Sequence, residues 1–150
     1  MTSQKIRHIL CAVRGVPKSR ETVAIAIDLA VEHNARLTFS HVTSADFLVS
    51  ATTMVSLQRT LKHLRDLSEF TMLVLVDRAH RRGVQKVDYI IRDGQILREL
   101  RSLIDELKPD MLVIGRPTTD TATDPAIEQA DIEEFVRVIK LESGITITTV

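Results

Sequence analysis

The chain has 150 residues, a length typical of a single domain with one hydrophobic core. Hydrophobic residues make up 44% of it and charged residues 27%, as in ordinary globular proteins. Twenty basic residues balance twenty acidic ones, so the net charge favours neither nucleic acid nor an anionic membrane as a partner. Aromatic residues reach only 3% and tryptophan is absent, which argues against binding bases by aromatic stacking.

The single cysteine and the apolar runs indicate the compartment. Cys11 lies inside an apolar run, so we expect a buried, unreactive thiol, no internal disulfide and a reducing cytoplasm. The first residues lack the apolar segment of a signal peptide, and no run approaches the roughly 18 apolar residues of a membrane helix. We therefore expect a cytoplasmic protein that does not enter membranes.

The first part of the chain predicts a β-α-β unit. Residues 9–13 form a short β-favouring run that ends at the turn residues 14–17. Ser19 is predicted to cap the following helix with its hydroxyl, and that helix ends near Asn34. Its apolar residues recur at helical spacing: Val23, Ile27, Ala30 and Val31. Residues 37–42 alternate as a strand does, and such a unit implies parallel strands with a right-handed crossover.

The middle of the chain predicts a loop, a long helix and a third strand. Residues 43–53 are rich in serine and threonine and are interpreted as a connecting loop. The long helix after them stops at Gly83, a residue that suits a C-terminal cap. Its predicted buried stripe consists of Leu57, Leu61, Leu64, Leu67 and Leu75. Residues 86–91 predict a strand, with Val87, Tyr89 and Ile91 on one face, and Asp93 with Gly94 predicts a turn.

The last part of the chain completes the pattern. A strongly amphipathic helix over residues 96–107 is closed by Lys108 and Pro109. Residues 111–114 are fully apolar, as a central parallel strand should be. Residues 126–140 predict a last helix and residues 145–150 a last strand. We therefore predict one α/β domain over residues 1–150, Rossmann-like and doubly wound, with a five-stranded parallel sheet and helices on both faces.

Five short stretches, in this order and spacing, resemble the universal stress protein family. They are residues 8–13 (HILCAV), 24–30 (AIAIDLA), 35–42 (ARLTFSHV), the pair Asp93–Gly94 with its helix, and 109–115 (PDMLVIG). The resemblance covers essentially the whole chain. It implies the strand order 3-2-1-4-5, a role in the stress response and a homodimer formed through the C-terminal strand. For the ATP-binding members it implies the motif Gly-x2-Gly-x9-Gly-Ser/Thr after the fourth strand and an acidic residue just after the first.

This sequence departs from that nucleotide-binding pattern at both places. Counted from Gly115, the second glycine position holds Thr118 and the third holds Glu128, followed by Gln129. The acidic position holds Arg14. Phosphates approach backbone N–H groups closely only where no Cβ intervenes, so Thr118 obstructs them, and the preceding proline lacks a donor. We therefore expect a protein without ATP dependence.

The candidate site lies at the carboxyl ends of the first and fourth strands. The strand order reverses between these two neighbours, and sheets of this type bind ligands at such a switch point. Its candidate residues are Arg14, Gly15, Val42, Gly115, Arg116 and Thr118. The two arginines, helped by Lys18 and Arg20, suit an anion or a nucleotide-like ligand, and ATP or another nucleotide stays open as that ligand. The alternative is that they pair with carboxylates of residues 120–128 and close an empty loop.

No catalytic or metal-ligating residue is predicted. The five histidines have no partner at convincing ligand spacing, and the serines lack a nucleophile-elbow pattern. The threonines of residues 118–123 are interpreted as turn formers, and the basic run 78–82 as a charged helix end rather than a nucleic-acid patch.

The segment that begins at Ile145 and ends at Val150 predicts an exposed edge strand. Pairing with its copy in a second chain would give a two-fold homodimer, which we expect; the alternative is protection by a helix. Three functions follow in order of preference. The first is a non-enzymatic stress-response protein that acts through protein contacts or an altered anion cleft. The second is a nucleotide-binding module that uses Arg14, Gly115 and Arg116. The last is an enzyme such as a nucleotide hydrolase.

Overall fold

Strands and helices alternate through the parts of the chain that the computed structural model describes, which are residues 5–14, 19–43, 54–115 and 129–150. The strands are β1 (His8–Ala12), β2 (Arg36–Thr43), β3 (Val87–Asp93), β4 (Met111–Ile114) and β5 (Thr146–Thr149). The helices are α1 (Arg20–His33), α2 (Met54–Arg82), α3 (Ile96–Leu107) and α4 (Gln129–Ser143). Thr43, predicted to begin a loop, is the last residue of β2. Residues 44–53 of the predicted loop and residues 126–128 of the predicted last helix lie outside the described residues.

The strands form one parallel sheet in the order β3-β2-β1-β4-β5. β1 lies at its centre, paired with β2 from His8 to Ala12 and with β4 from Ile9 to Cys11. β3 and β5 are the edges, each paired with one neighbour. The predicted α/β fold, parallel sheet and strand order are confirmed.

Side chains alternate across the sheet, so each face has its own core. On one face, α1 and α2 pack on the sheet through Ile9, Cys11, Val13, Val23, Ile27, Leu37, Phe39, Met72, Leu75, Met111 and Val113. On the other, α3 and α4 pack through Leu10, Ala12, Leu100, Leu103, Ile104, Leu112, Ile114, Ile132, Phe135 and Ile139. Burial of these apolar surfaces is the main force that stabilises the layered arrangement.

Ser19 does not cap α1 with its hydroxyl, contrary to the prediction. Its backbone has φ −91° and ψ 3°, outside the extended region that a capping side chain requires. The Oγ of Ser19 instead accepts a hydrogen bond from the backbone N–H of Arg14 at 2.7 Å. The predicted C-terminal ends of two helices are confirmed. α2 ends just before Gly83, which has φ +110°. α3 ends at Leu107, and Lys108 caps it in the left-handed region.

The predicted buried stripe of α2 is wrong at Leu67. Met72 and Leu75 are buried, whereas the side chain of Leu67 is 62% exposed. Five residues separate Leu67 from Met72, which places the two side chains about 140° apart around the helix. Leu67 therefore belongs to a second, outward-facing apolar stripe with Phe70, Leu73 and Val74, all of them exposed. No helix in the described part of the chain combines the length and the hydropathy needed to cross a membrane.

Candidate functional site

The carboxyl ends of β1, β2 and β4 lie side by side at the same end of the sheet, because the strands are parallel. A small cavity lies there, on the face that α3 covers. It is lined by Ala12, Val13, Arg14, Ser40, Val42, Ile96, Leu100 and Ile114. Its volume is about 20 Å³, whereas one water molecule needs about 10–15 Å³. The structure thus brings the predicted residues Arg14 and Val42 together around a cavity that is only slightly larger than one water molecule requires.

Arg14 is the charged residue of this cavity. It lies two residues after the end of β1, and its Nη2 atom is buried. The backbone N–H of Arg14 is fixed by Ser19 at the start of α1, which holds the arginine at the switch point between β1 and β4. A guanidinium in such surroundings presents five N–H donors and a fixed positive charge, so it can bind an anion or a carboxylate.

The wall between β1 and β2 is fixed by hydrogen bonds that extend the strand pairing. The N–H of Val13 donates to the carbonyl of Ser40 at 2.8 Å, and Ser40 Oγ donates to the carbonyl of Cys11 at 3.1 Å. His41 Nδ1 lies 2.9 Å from the carbonyl oxygen of Val13, so Nδ1 carries the proton. The ring of His41 therefore helps to fix the chain just after β1.

Gly115 has a packing role that its position in the sequence did not reveal. A Cβ built on it would lie 2.8 Å from Oγ1 of Thr22, closer than real Cβ contacts come. Thr22 is buried in the first turn of α1, with 3% of its surface exposed. The absence of a side chain at Gly115 therefore lets the end of β4 approach α1.

The other predicted site residues divide into two groups. Gly15, Arg116 and Thr118 lie outside the described residues, as do the carboxylates with which the arginines were alternatively expected to pair. Arg20 is described, but it lines a different groove between α1 and α2 and not the cavity at Arg14. Ser40 is the polar residue of the cavity that sequence reasoning did not assign, because its pairing with Cys11 depends on the register of β1 and β2.

A protein-family model matches residues 5–126, which is most of the chain, and its description is the universal stress protein family. The chain belongs to the universal stress protein family. The predicted resemblance is thereby confirmed. A search of curated proteins found no match.

Solved structures of other universal stress proteins share the fold at low sequence identity. UspA from Lactobacillus plantarum is 15% identical, with a TM-score of 0.73 and 99% of both chains covered. A universal stress protein in complex with cAMP is 17% identical, with a TM-score of 0.63 and 98% of both chains covered. The protein from Archaeoglobus fulgidus in complex with dAMP is 11% identical, with a TM-score of 0.58 and 97% of this chain and 98% of that chain covered.

This universal stress protein has a second polar cluster at the opposite edge of its sheet. Thr38 Oγ1 donates to Asp88 at 2.6 Å, so it accepts from His8 Nε2 at 2.7 Å. Arg36 forms an ion pair with the same aspartate. Burial, followed by the positive charge of Arg36, lowers the pKa of His8 below its usual 6.5, despite the opposing effect of Asp88 and Asp110. The cluster thus keeps His8 neutral near pH 7.

The described residues contain no group of three or more His, Cys, Asp or Glu side chains that could hold a metal ion. The thiol of Cys11 is fully buried, and burial raises its pKa to about 12. Among the residues that the structure describes, the switch point therefore offers the positive side chain of Arg14 beside apolar neighbours, together with hydroxyl and imidazole groups that are bound to backbone carbonyls.

Proposed function

We propose that this universal stress protein acts in the cytoplasm without ATP dependence or catalysis, through contacts with other proteins. The observation that carries the proposal is the cavity around Arg14, whose volume is about 20 Å³. Pockets that enclose small molecules usually measure about 300–1,000 Å³. A nucleotide would thus have to displace the packed residues that line the cavity before it could enter.

The charge and packing of the same region also disfavour ATP. Arg14 occupies the place where the resemblance implies an acidic residue near the adenine and ribose. The close approach of β4 to Thr22 requires a glycine at position 115. Packing therefore explains this glycine without a bound phosphate. The further glycine positions hold Thr118 and Glu128, and a carboxylate near phosphates would repel them.

The absence of catalysis is proposed from the state of the nucleophiles near the cavity. Ser40 Oγ directs its proton to the carbonyl oxygen of Cys11 and therefore not to a base that could activate it as a nucleophile. Cys11 is held as a neutral thiol, since burial raises its pKa to about 12.

The test begins with the purified protein. Denaturing it and identifying any released small molecule by mass spectrometry shows whether a ligand is carried along. Thermal unfolding is then followed with ATP, ADP, AMP and inorganic phosphate. A ligand present at about 100 times its Kd stabilises the folded state by about 2.7 kcal/mol, which raises the Tm by several degrees. We expect no such shift with ATP and no ATP hydrolysis with added magnesium; either one would contradict the proposal.

A second candidate function is the binding of an adenine mononucleotide. Two structural relatives are described as complexes, one with cAMP and one with dAMP, and a single phosphate demands less of the glycine loop than a triphosphate. Arg14, with Gly115 and Arg116, would supply the anion contacts. A Tm shift with AMP or cAMP that is lost in Arg14→Ala and in Arg116→Ala would favour this function. Arg101→Ala, at an exposed ion pair on α3, is the control that should retain the shift.

We also propose that two copies associate through β5. β5 is an edge of the sheet, and the N–H groups of Thr146 and Val150 donate inward to β4. By alternation, those of Ile147 and Thr149 point to the open side. Thr149→Pro should therefore break a dimer while leaving the bonds to β4 in place, whereas Thr149→Ala should preserve it. Sedimentation velocity measures the result, and a monomeric wild type would contradict this part of the proposal.

A further inference from the structure

A larger opening than the cavity at Arg14 lies between α1 and α2. It is lined by Val13, Ser19, Arg20, Val23, Leu67, Phe70, Thr71, Val74, Leu75 and Arg78, which we call the α1–α2 groove. Its volume is about 320 Å³, which falls within the range of small-molecule pockets. The groove is on the face of the sheet opposite α3, and it adjoins the cavity at Arg14, because Val13 lines both.

The groove has an apolar floor and apolar rims. Val13, Val23 and Leu75 are buried at its base. Leu67 and Phe70 on its rim are 62% and 66% exposed, and Val74 is 42% exposed. These apolar side chains project into water from successive helix turns. Covering them with a ligand is favourable, because it removes apolar surface from water. The occupant therefore has an apolar body.

Two arginines supply the charge of the groove. Neither Arg20 nor Arg78 has an ion pair with any described residue, whereas Arg81, one helical turn from the groove, is paired with Asp77. No carboxylate is among the described residues that line the groove. The hydroxyl of Thr71 donates to the carbonyl of Leu67 at 2.9 Å, so the guanidinium groups are the principal donors left for a ligand. The charge of the groove therefore complements an anion.

We propose that the α1–α2 groove binds a small amphipathic carboxylate of the fatty-acid type. Its hydrocarbon chain covers Leu67, Phe70 and Val74, and its carboxylate pairs with Arg20 or Arg78. A nucleotide fits this groove poorly, because its base and sugar need several hydrogen-bonding partners that apolar walls do not offer. The site goes beyond the proposed function, since it shares Val13 with the cavity but uses neither Arg14 nor α3.

The probe is dodecanoate below its micellar concentration, added to the full chain and measured by isothermal titration calorimetry. Dodecyltrimethylammonium has the same apolar chain with the opposite charge, and butanoate has the same head group with a short chain. We expect saturable binding of dodecanoate, binding of the cation weaker by about tenfold or more, and no binding of butanoate. Equal affinity for the two long-chain probes, or no saturable binding of dodecanoate below about 1 mM, would overturn the proposal.

Substitutions at exposed positions locate the site without disturbing the core. Arg78→Gln and Phe70→Ser should each weaken dodecanoate binding by about tenfold, since one removes a charge-assisted bond and the other an apolar wall. Arg101→Gln on α3 and Leu141→Ser on α4 are matched controls, because Leu141 is 78% exposed and far from the groove. Equal losses in variants and controls would overturn the assignment. So would binding seen only with phosphatidylglycerol vesicles, because that result would assign the groove to a lipid surface.

Discussion

Replacement of Gly115 by alanine should destabilise the protein by steric overlap with Thr22. The new Cβ would lie 2.8 Å from Thr22 Oγ1, against 3.4 Å at the near limit of ordinary contact, an overlap of 3.4 − 2.8 = 0.6 Å. Thr22 is buried and β-branched, so its side chain cannot rotate away freely. Overpacking of this kind costs about 1–3 kcal/mol.

A smaller effect acts in the opposite direction. Gly115 does not occupy the left-handed region, so alanine is compatible with its backbone and restricts the unfolded chain, a gain of about 0.4–1 kcal/mol. The steric term is larger, and we expect a net loss of about 1–2 kcal/mol. For a chain of this size that loss lowers the Tm by roughly 2–8 °C.

Urea unfolding of a double-mutant cycle measures the effect. Thr22→Ala removes the obstructing atom, so Gly115→Ala should cost about 1 kcal/mol less in that background than in the wild type. Gly144→Ala is the control: a Cβ there meets no atom within 4 Å, but φ is +66°, so any cost comes from the backbone alone. That cost should not depend on Thr22. A neutral or stabilising Gly115→Ala, or a coupling to Thr22 below about 0.3 kcal/mol, would refute the reasoning.

Three further predictions concern the other polar and titratable groups. Because burial and Arg36 lower the pKa of folded His8 below 6.5, the unfolded chain binds the proton more readily, so stability should fall as the pH drops below about 6.5. His8→Gln should flatten that dependence in urea unfolding at a series of pH values, and an unchanged slope would contradict it. Burial raises the pKa of Cys11 to about 12, so a thiol reagent at neutral pH should label the protein only in denaturant. Labelling of the folded protein at the rate of a free thiol would contradict this. Asp110 Oδ2 accepts the N–H groups of Arg7 at 2.8 Å and His8 at 2.9 Å, so Asp110→Ala should cost about 1–2 kcal/mol. Asp110→Asn, which keeps an acceptor oxygen, should cost less, and equal losses would assign the effect to something other than these bonds.

The order of the elements could be read from the sequence because it depends on short-range patterns. A fully apolar run such as residues 111–114 predicts a central parallel strand, and Gly83 marks a helix end through its own backbone freedom. Connections long enough for crossover helices then imply parallel pairing. The proximity of Arg14 and Val42 also follows from the predicted strands. Arg14 comes after the end of β1 and Val42 lies near the end of β2, and these strands are parallel neighbours.

Other features depended on which distant segments pack together. Ser19 is a residue type that often caps helices, yet its hydroxyl accepts a hydrogen bond from the backbone N–H of Arg14. The chain that leaves β1 brings Arg14 N to 2.7 Å from Ser19 Oγ. Leu67 matches a leucine stripe in sequence but faces outward, since only the fold decides which side of α2 contacts the sheet. The contact of Gly115 with Thr22 joins residues far apart in the chain.

The sequence by itself therefore determined the layered α/β architecture and the family, and it predicted the end of the sheet at which a ligand site would lie. The tertiary structure alone decided that the space at Arg14 is small, that Gly115 is required by packing, and that an apolar groove with two arginines opens between α1 and α2. The reason is physical: periodicity and turn chemistry act over a few neighbouring residues, whereas cavities and close contacts arise from side chains that the chain brings together over long distances.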